Sequence, residues 1–418
     1  MRFNAVGISI LVFSLTLPAL DHQSELERQS DAHQMFLLRN ALNKHPRSSD
    51  FYAGEVACAF NDIPTCEGDF EKVLAADPKS TAAKQIHHVL AYAAMREGRY
   101  ERSLHEMDAL LALDPNDSDA TSTRPFIEAL SRFPDQAVQR SGVNKVTVQM
   151  DDGRLPLVIN GKKAAYFIDT GANLSTISES DALLFGMDIH EVKSTGADIN
   201  GNRVLFRIAL AKSFALGGIE LRNVAFLVVA KDAQPFVDME LGQRGLVGLP
   251  VLLALGSITW NREGAFESDL SPSRGNLAVA NICFDDLNLV TEASFEGHAY
   301  PFVLDTGAVT SDLWPKFADI ARDLIRKSST HESHTVTGVG GRQKFETVSI
   351  PKVILELGGE SVALQPAHIL TSQRESTPEW FYGNLGIDLL RQAESVTLNF
   401  KAMTLQLHKS VRHRMHRE

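Results

Sequence analysis

The tetrapeptide Asp-Thr-Gly-Ala occurs twice in this chain of 418 residues, and this duplication is the strongest constraint on its fold. The copies are residues 169–172 and residues 305–308, 136 positions apart, and a run of apolar residues precedes each. A second pair of matching segments contains Gly248 and Gly386, which are 138 positions apart. Because the two pairs of matching segments are separated by nearly the same number of residues, the sequence predicts two copies of one fold.

The residue types in the repeated tetrapeptide favour one kind of chemistry. Each aspartate follows an apolar run typical of a buried strand, so each carboxyl group is expected at a strand end. If the two copies face each other, Asp169 and Asp305 cannot both ionise at close range, and they will share one proton. The ionised member can accept a proton from water while the protonated member donates to a substrate carbonyl. Such a pair hydrolyses a peptide bond without a metal or a covalent intermediate.

The residues that follow each aspartate fit a supporting role. Threonine hydroxyl groups can hydrogen-bond between the two loops, and glycine lets the backbone approach a carboxyl group where a side chain would collide. The expected site therefore contains the catalytic pair Asp169 and Asp305 with the supporting residues Thr170, Gly171, Ala172, Thr306, Gly307 and Ala308.

Together these motifs resemble the aspartic protease superfamily, and in particular its retropepsin-like branch, which includes bacterial members. Retropepsins carry alanine after the glycine, as Ala172 and Ala308 do here, whereas pepsins usually carry serine or threonine. The resemblance covers roughly residues 146–407. It implies an aspartic endopeptidase that acts on protein or peptide substrates without a metal or cofactor. It also implies that Gly248 and Gly386 lie in the ψ-shaped structure behind each catalytic loop.

Retropepsins pair two one-lobe chains, whereas this chain carries both copies of the motif. The simplest expectation is two fused retropepsin-like lobes, an all-β bilobal aspartic-protease fold in which Asp169 and Asp305 pair within one chain. Pairing between two chains is the alternative. Two other functions stay open: a catalytically inactive pseudoprotease that binds peptides, and a repeat scaffold in which the β region is structural.

Glycine-rich segments between each catalytic loop and its ψ motif match the flaps of the family, the β-hairpins that close the cleft. The candidates are residues 195–201 and residues 337–341, and ordinary hairpin turns are the alternative. The glycines concerned are Gly196, Gly201, Gly338, Gly340 and Gly341.

The chain before the duplicated region reads as helical. Residues 24–137 contain helix formers with almost no strand-like alternation, and apolar residues recur at helical spacing on both sides of a turn at Gly98. Asp-Pro pairs at Asp77 and Asp114 end helical stretches 37 residues apart. This resembles tetratricopeptide repeats, whose period is about 34 residues. A plain helical hairpin domain is the alternative, and a repeat groove would hold a partner protein or substrate.

The N-terminus has the layout of a secretory signal peptide, with Arg2 followed by a short apolar run that ends before Asp21. We expect a periplasmic or secreted protein without a stable membrane span, with an N-terminal membrane anchor as the alternative. The net charge of −11 disfavours nucleic acid as a partner. Cys58 and Cys66 can form a bridge, and Cys283 is expected to be a small buried apolar residue.

The predicted organisation is multidomain, with an all-α helical repeat domain before the all-β bilobal fold. The segments are residues 1–20 (signal peptide), 21–140 (helical repeat domain), 141–262 (first lobe), 263–276 (linker), 277–408 (second lobe) and 409–418 (basic tail).

Overall fold

The computed structural model describes residues 25–44, 49–139, 142–197, 203–338, 341–372 and 378–409. The predicted signal peptide lies outside the described residues, and so does the predicted basic tail beyond Lys409. Within these ranges, no helix combines the length and apolar character that crossing a membrane requires. Helices come first along the chain and strands follow, as the sequence predicts.

Four of the N-terminal helices begin where a polar side chain accepts a hydrogen bond from the first turn. The accepting residues are Ser49, Asp62, Ser80 and Asp117, and such caps replace the missing partners of the first backbone N–H groups. The two helical stretches predicted on either side of Gly98 are the helices Thr81–Arg96 and Tyr100–Leu113, and Gly98 joins them with φ 71°. The helices are α1 (25–31), α2 (Met35–Lys44), α3 (Asp50–Ala59), α4 (Ile63–Ala76), α5 (Thr81–Arg96), α6 (Tyr100–Leu113) and α7 (Ser118–Leu130).

Cys58 and Cys66 form a disulfide that ties α3 to α4, with their Cα atoms 5.1 Å apart. Cys283 is a buried free thiol, as expected.

From Ala137 onward the described chain is mostly strand. The strands up to the middle of the chain are β1 (Ala137–Gln139), β2 (Lys145–Gln149), β3 (Leu155–Ile159), β4 (Lys162–Ile168), β5 (Ser175–Ser178), β6 (Ile189–Ala197), β7 (Arg203–Leu216), β8 (Ile219–Val229), β9 (Gly245–Val247), β10 (Ser257–Asn261) and β11 (Ala265–Asp269). The later strands are β12 (Ile282–Asp285), β13 (Asn288–Phe295), β14 (His298–Leu304), β15 (Asp312–Leu313), β16 (Thr330–Gly338), β17 (Gly341–Ile350), β18 (Val353–Leu357), β19 (Glu360–Leu364), β20 (Ala367–Leu370), β21 (Gly383–Leu385), β22 (Ser395–Asn399) and β23 (Thr404–His408). Short helices between them are α8 (Glu179–Leu184), α9 (Leu249–Ala254), α10 (Pro315–Ile320), α11 (Arg322–Ser328) and α12 (Ile387–Leu390).

These strands form three sheets among the described residues. The first sheet has the order β1-β8-β5-β9-β4-β3-β7-β6. The second sheet has the order β16-β17-β20-β15-β21-β14-β13-β18-β19, with β12 paired to β13. A five-stranded shared sheet, β2-β11-β10-β22-β23, takes strands from both halves of the β region.

The two large sheets repeat one central arrangement. In the first sheet β4 is parallel to β9, β9 is antiparallel to β5, and β5 is parallel to β8. In the second sheet β14, β21, β15 and β20 repeat those three pairings in the same order. Parallel pairs need crossover connections and cannot arise from simple hairpins. The sequence repeat therefore coincides with a repeated strand arrangement.

Part of the predicted linker at residues 263–276 is a strand. β11 pairs with both β10 and β2, and alternate residues, Phe266 and Ser268, are buried. The turn residues around this segment favoured a linker, but the alternating burial makes residues 265–269 an inner strand of the shared sheet.

The helical region packs against both large sheets. Helices α2 and α3 contact β12 of the second sheet, and Phe36, Tyr52 and Phe60 belong to the same apolar core as the strands. On the other side, α7 packs against β6 and β7 of the first sheet, and the Phe126 and Phe206 ring centroids lie 5.0 Å apart. The helices and strands are therefore parts of one packed structure.

Candidate active site

Asp169 and Asp305 stand at equivalent places, each directly after a central strand. Asp169 follows β4, and its backbone N–H donates to the carbonyl of Val247 in β9 at 2.9 Å. Asp305 follows β14, and its backbone N–H donates to the carbonyl of Leu385 in β21 at 3.0 Å. This hydrogen bond holds each aspartate at the point where its strand leaves the sheet.

Thr170 and Thr306 join the two loops by reciprocal hydrogen bonds. Each backbone N–H donates to the hydroxyl of the other threonine at 3.0 Å. The Thr170 hydroxyl donates to the carbonyl of Leu304 at 2.7 Å, and the Thr306 hydroxyl donates to the carbonyl of Ile168 at 3.0 Å. Both threonines are buried, so four hydrogen bonds shielded from water connect the ends of β4 and β14.

Each glycine of the tetrapeptide lies against the opposite aspartate. A Cβ atom on Gly171 would stand 2.6 Å from Cγ of Asp305. A Cβ atom on Gly307 would approach Cγ of Asp169 below 3.0 Å, closer than real Cβ contacts allow. Both positions therefore require glycine, and the two carboxyl groups lie on facing loops of one site.

The surroundings of the carboxyl groups determine where a proton is held. Asp169 is buried, and that burial, followed by the charge of Asp305, raises the pKa of its carboxyl group well above the ordinary value. Hydrogen bonds from the backbone N–H groups of Gly171 and Ala172 oppose the rise in pKa. Asp305 is half-buried. Two carboxyl groups that face each other in this way favour a single shared proton.

The predicted ψ-motif glycines lie behind the two loops in matching geometry. The N–H of Gly248 donates to Oγ of Ser175 at 3.1 Å, and the N–H of Gly386 donates to Oγ of Ser311 at 2.8 Å. The next residue in each copy donates to the carbonyl of the tetrapeptide alanine, Ala172 or Ala308, at 2.9 Å.

Pro250 in the first copy does not disturb this geometry. It lies in the first turn of α9, where its missing N–H costs no helical hydrogen bond.

The flap candidates lie on two antiparallel strand pairs. Gly196 pairs with Val204 near the end of β6, and Gly338 pairs with Gly341 at the end of β16. Gly201 and Gly340 lie outside the described residues. The described strands thus form hairpins at both candidate positions, and their action as flaps stays a prediction.

One residue in contact with the pair was not predicted as a site residue. Asn384, in β21, donates from Nδ2 to Oδ2 of Asp305 at 3.0 Å. The signal in the sequence was the mismatch between the two copies, because the corresponding residue of the first copy is Leu246. Among the described residues, no group of three or more His, Cys, Asp or Glu side chains could hold a metal ion.

Comparison with families of known proteins gives a match in the first half of the β region. The family model described as gag-polyprotein putative aspartyl protease matches residues 155–252, which include the first tetrapeptide and Gly248. This part of the β region is therefore similar to the putative aspartyl proteases that the model describes.

Two further comparisons were with solved structures and with curated proteins. Among solved structures, the chain matches the crystal structure of a retropepsin-like aspartic protease from Rickettsia conorii at 14% identity, covering 34% of this chain and 98% of that chain, with a TM-score of 0.21. At that TM-score the likeness adds nothing to the fold described above. A search of curated proteins finds none that matches.

Proposed function

We propose that this chain is an aspartic endopeptidase in which Asp169 and Asp305 form one catalytic site within a single chain. The observation that carries the proposal is the reciprocal hydrogen bonding of Thr170 and Thr306, which joins the two loops. The raised pKa of Asp169 supports it, because two-aspartate hydrolysis starts with one proton on the pair.

The proposed reaction needs only the two carboxyl groups and one water. The ionised aspartate takes a proton from the water as the water oxygen bonds to the peptide carbonyl carbon. The protonated aspartate gives its proton to the carbonyl oxygen, so the intermediate is a neutral diol. The C–N bond then breaks as the first aspartate returns its proton to the nitrogen. The second aspartate regains a proton from one hydroxyl, which leaves a carboxylic acid, an amine and the starting pair.

A protein or peptide is the proposed substrate. The hairpins β6–β7 and β16–β17 are the proposed flaps, and an extended peptide can add to such hairpins by strand pairing. Export through the N-terminal segment, to the periplasm or outside the cell, is part of the same proposal.

The helical region is proposed to recruit protein substrates or partners through its surface, and the tetratricopeptide-like repeat stays a prediction. Its contacts with the sheets also make it a support for the first hairpin, because Phe126 of α7 packs on Phe206 of β7. Deleting the helices would expose the core that they share with the strands, so deletion is a poor test of recruitment.

The test is cleavage of a mixed peptide library by the purified full chain between pH 3 and 8. Asp169→Asn and Asp305→Asn should each abolish cleavage, because each removes a proton-transfer group that the other cannot replace. Asp232→Asn is the matched control, since Asp232 is an exposed carboxylate, and it should cleave like the wild type. Peptide binding without cleavage in the wild type would overturn the proposal in favour of a pseudoprotease.

A further inference from the structure

The two halves of the site differ at one residue that touches the catalytic pair. In the first sheet Leu246 stands opposite Phe167, two residues before Asp169. In the second sheet Asn384 stands opposite Val303, two residues before Asp305. The positions are equivalent by strand register, yet one side chain is apolar and the other is an amide.

This difference gives Asp305 a hydrogen-bond donor that Asp169 lacks. Oδ1 of Asp305 accepts from the N–H groups of Gly307 and Ala308, both at 3.0 Å. Its Oδ2 accepts from Asn384, also at 3.0 Å. Both oxygens of Asp305 are therefore occupied by N–H donors. A carboxylate accepts such bonds, whereas a protonated oxygen facing an N–H donor would be poorly placed.

Asp169 is held differently. Its Oδ1 accepts from the N–H of Gly171 at 2.9 Å, and an amide equivalent to that of Asn384 is absent because Leu246 has no polar side-chain atom. Asp169 is also the more deeply buried of the two, which disfavours its charged form. Hydrogen bonding and burial therefore both favour the protonated form of Asp169 and the ionised form of Asp305.

We propose that Asn384 is a positioning residue that keeps Asp305 ionised and leaves the shared proton on Asp169. The inference rests on the proposed function. It states which aspartate acts as the base and which acts as the acid when the reaction begins. Asp305 takes the proton from the attacking water, and Asp169 donates its proton to the substrate carbonyl oxygen.

Other titratable groups lie on the elements around the pair. Asp312 of β15 stands opposite Asn384 in the antiparallel register, and Nε2 of His334 lies 3.4 Å from its Oδ1. Asp388 of α12 accepts a hydrogen bond from the hydroxyl of Ser311 at 2.6 Å. The hydrogen bond from Asn384 reaches the catalytic pair directly, so its effect can be separated from these groups by residue-specific measurement.

The first experiment compares pH profiles of kcat/KM for the full-length wild type and Asn384→Leu, which copies the first half. Loss of a hydrogen bond to the charged form should raise the apparent pKa of the acid limb by about one unit. At a pH on that limb, kcat/KM should therefore fall by roughly tenfold. An acid limb that stays within about 0.3 units of the wild type would overturn the inference, because one lost donor should move it further.

A reciprocal exchange separates positioning from mere structural support. The double variant Leu246→Asn, Asn384→Leu moves the amide to the Asp169 side and keeps one donor on the pair. The apparent pKa of the acid limb of kcat/KM should return toward the wild-type value, although the two aspartates have exchanged roles. Failure of the exchange to restore the limb, with a native circular dichroism spectrum, would contradict positioning through hydrogen bonding.

A third measurement needs no activity. In protein labelled with ¹³C at the aspartate carboxyl carbons, the signals of Asp169 and Asp305 can be assigned with the two Asp→Asn variants. In the wild type Asp169 should keep its proton to higher pH than Asp305, and the reciprocal exchange should reverse that order. If Asp305 keeps the proton in the wild type, the inference is wrong. Because this readout is independent of cleavage, an inactive wild type would defeat the proposed function without deciding the inference.

Discussion

Replacing Thr170 by valine tests the hydrogen bonds that join the two loops. Valine has nearly the shape of threonine, so the change removes the hydroxyl without opening a cavity. The Thr170 hydroxyl donates to the carbonyl of Leu304 and accepts from the N–H of Thr306, and these partners would be left without it in a buried site. Each buried group left unsatisfied costs about 1–3 kcal/mol, so the loss of both partners should lower the unfolding free energy by about 2–6 kcal/mol.

Thr170→Ser is the matched control, because it keeps the hydroxyl and removes only a methyl group, worth about 1 kcal/mol. The assay is guanidinium chloride unfolding of the full chain at one pH, followed by tryptophan fluorescence, with slopes compared as well as midpoints. We expect Thr170→Val to be less stable than Thr170→Ser by about 2 kcal/mol. Equal stability of the two variants would refute the reasoning, because the hydroxyl would then contribute nothing.

Two further predictions concern the helical region. Burial raises the pKa of Glu55 from 4.5 to about 7. The contribution of Glu55 to the unfolding free energy should therefore be fully present below about pH 4.5 and be lost as the pH rises through 7, because the unfolded chain ionises first. Glu55→Gln should remove that fall in Tm between pH 5 and 8, and an unchanged fall would contradict the assignment. Phe126→Ala should cost about 1–2 kcal/mol, since the side chain is half-buried against Phe206. It should also speed amide hydrogen exchange in β6 and β7 but not in β16 and β17. The exposed Leu37→Ala serves as its control, and equal exchange in both variants would count against support of the first hairpin.

The two aspartate loops were the most predictable part of this chain because their sequence signals are local. An aspartate after an apolar strand, followed by threonine and glycine, already restricts where each carboxyl group can stand. The repeat offset then indicated that two such loops should meet, and the structure joins them through Thr170 and Thr306.

The contact between Asn384 and Asp305 could not be predicted in the same way. The sequence shows only that asparagine replaces the leucine of the other copy. Whether its amide reaches a carboxylate depends on the register between β21 and β14, which places it two residues before Asp305 on the neighbouring strand. Strand register is set by the packing of the whole sheet, so a motif alone does not contain it.

The packing of the N-terminal helices also could not be predicted from the sequence. Helical periodicity indicates that a helix buries one face, but it carries no information about which partner covers that face. Phe36 and Phe60 could have closed a separate domain, yet they pack into the core of the strands. β11 likewise became a strand because neighbours on both sides pair with it.

The sequence by itself therefore determined the order of helices and strands, the duplication, and the two aspartates with their supporting threonines and glycines. These features follow from local residue types and spacing. Only the tertiary structure decided that the helices share a core with the sheets and that one aspartate receives an amide the other lacks. Both depend on which distant surfaces come into contact, and burial and hydrogen bonding across those contacts are set by the folded chain as a whole.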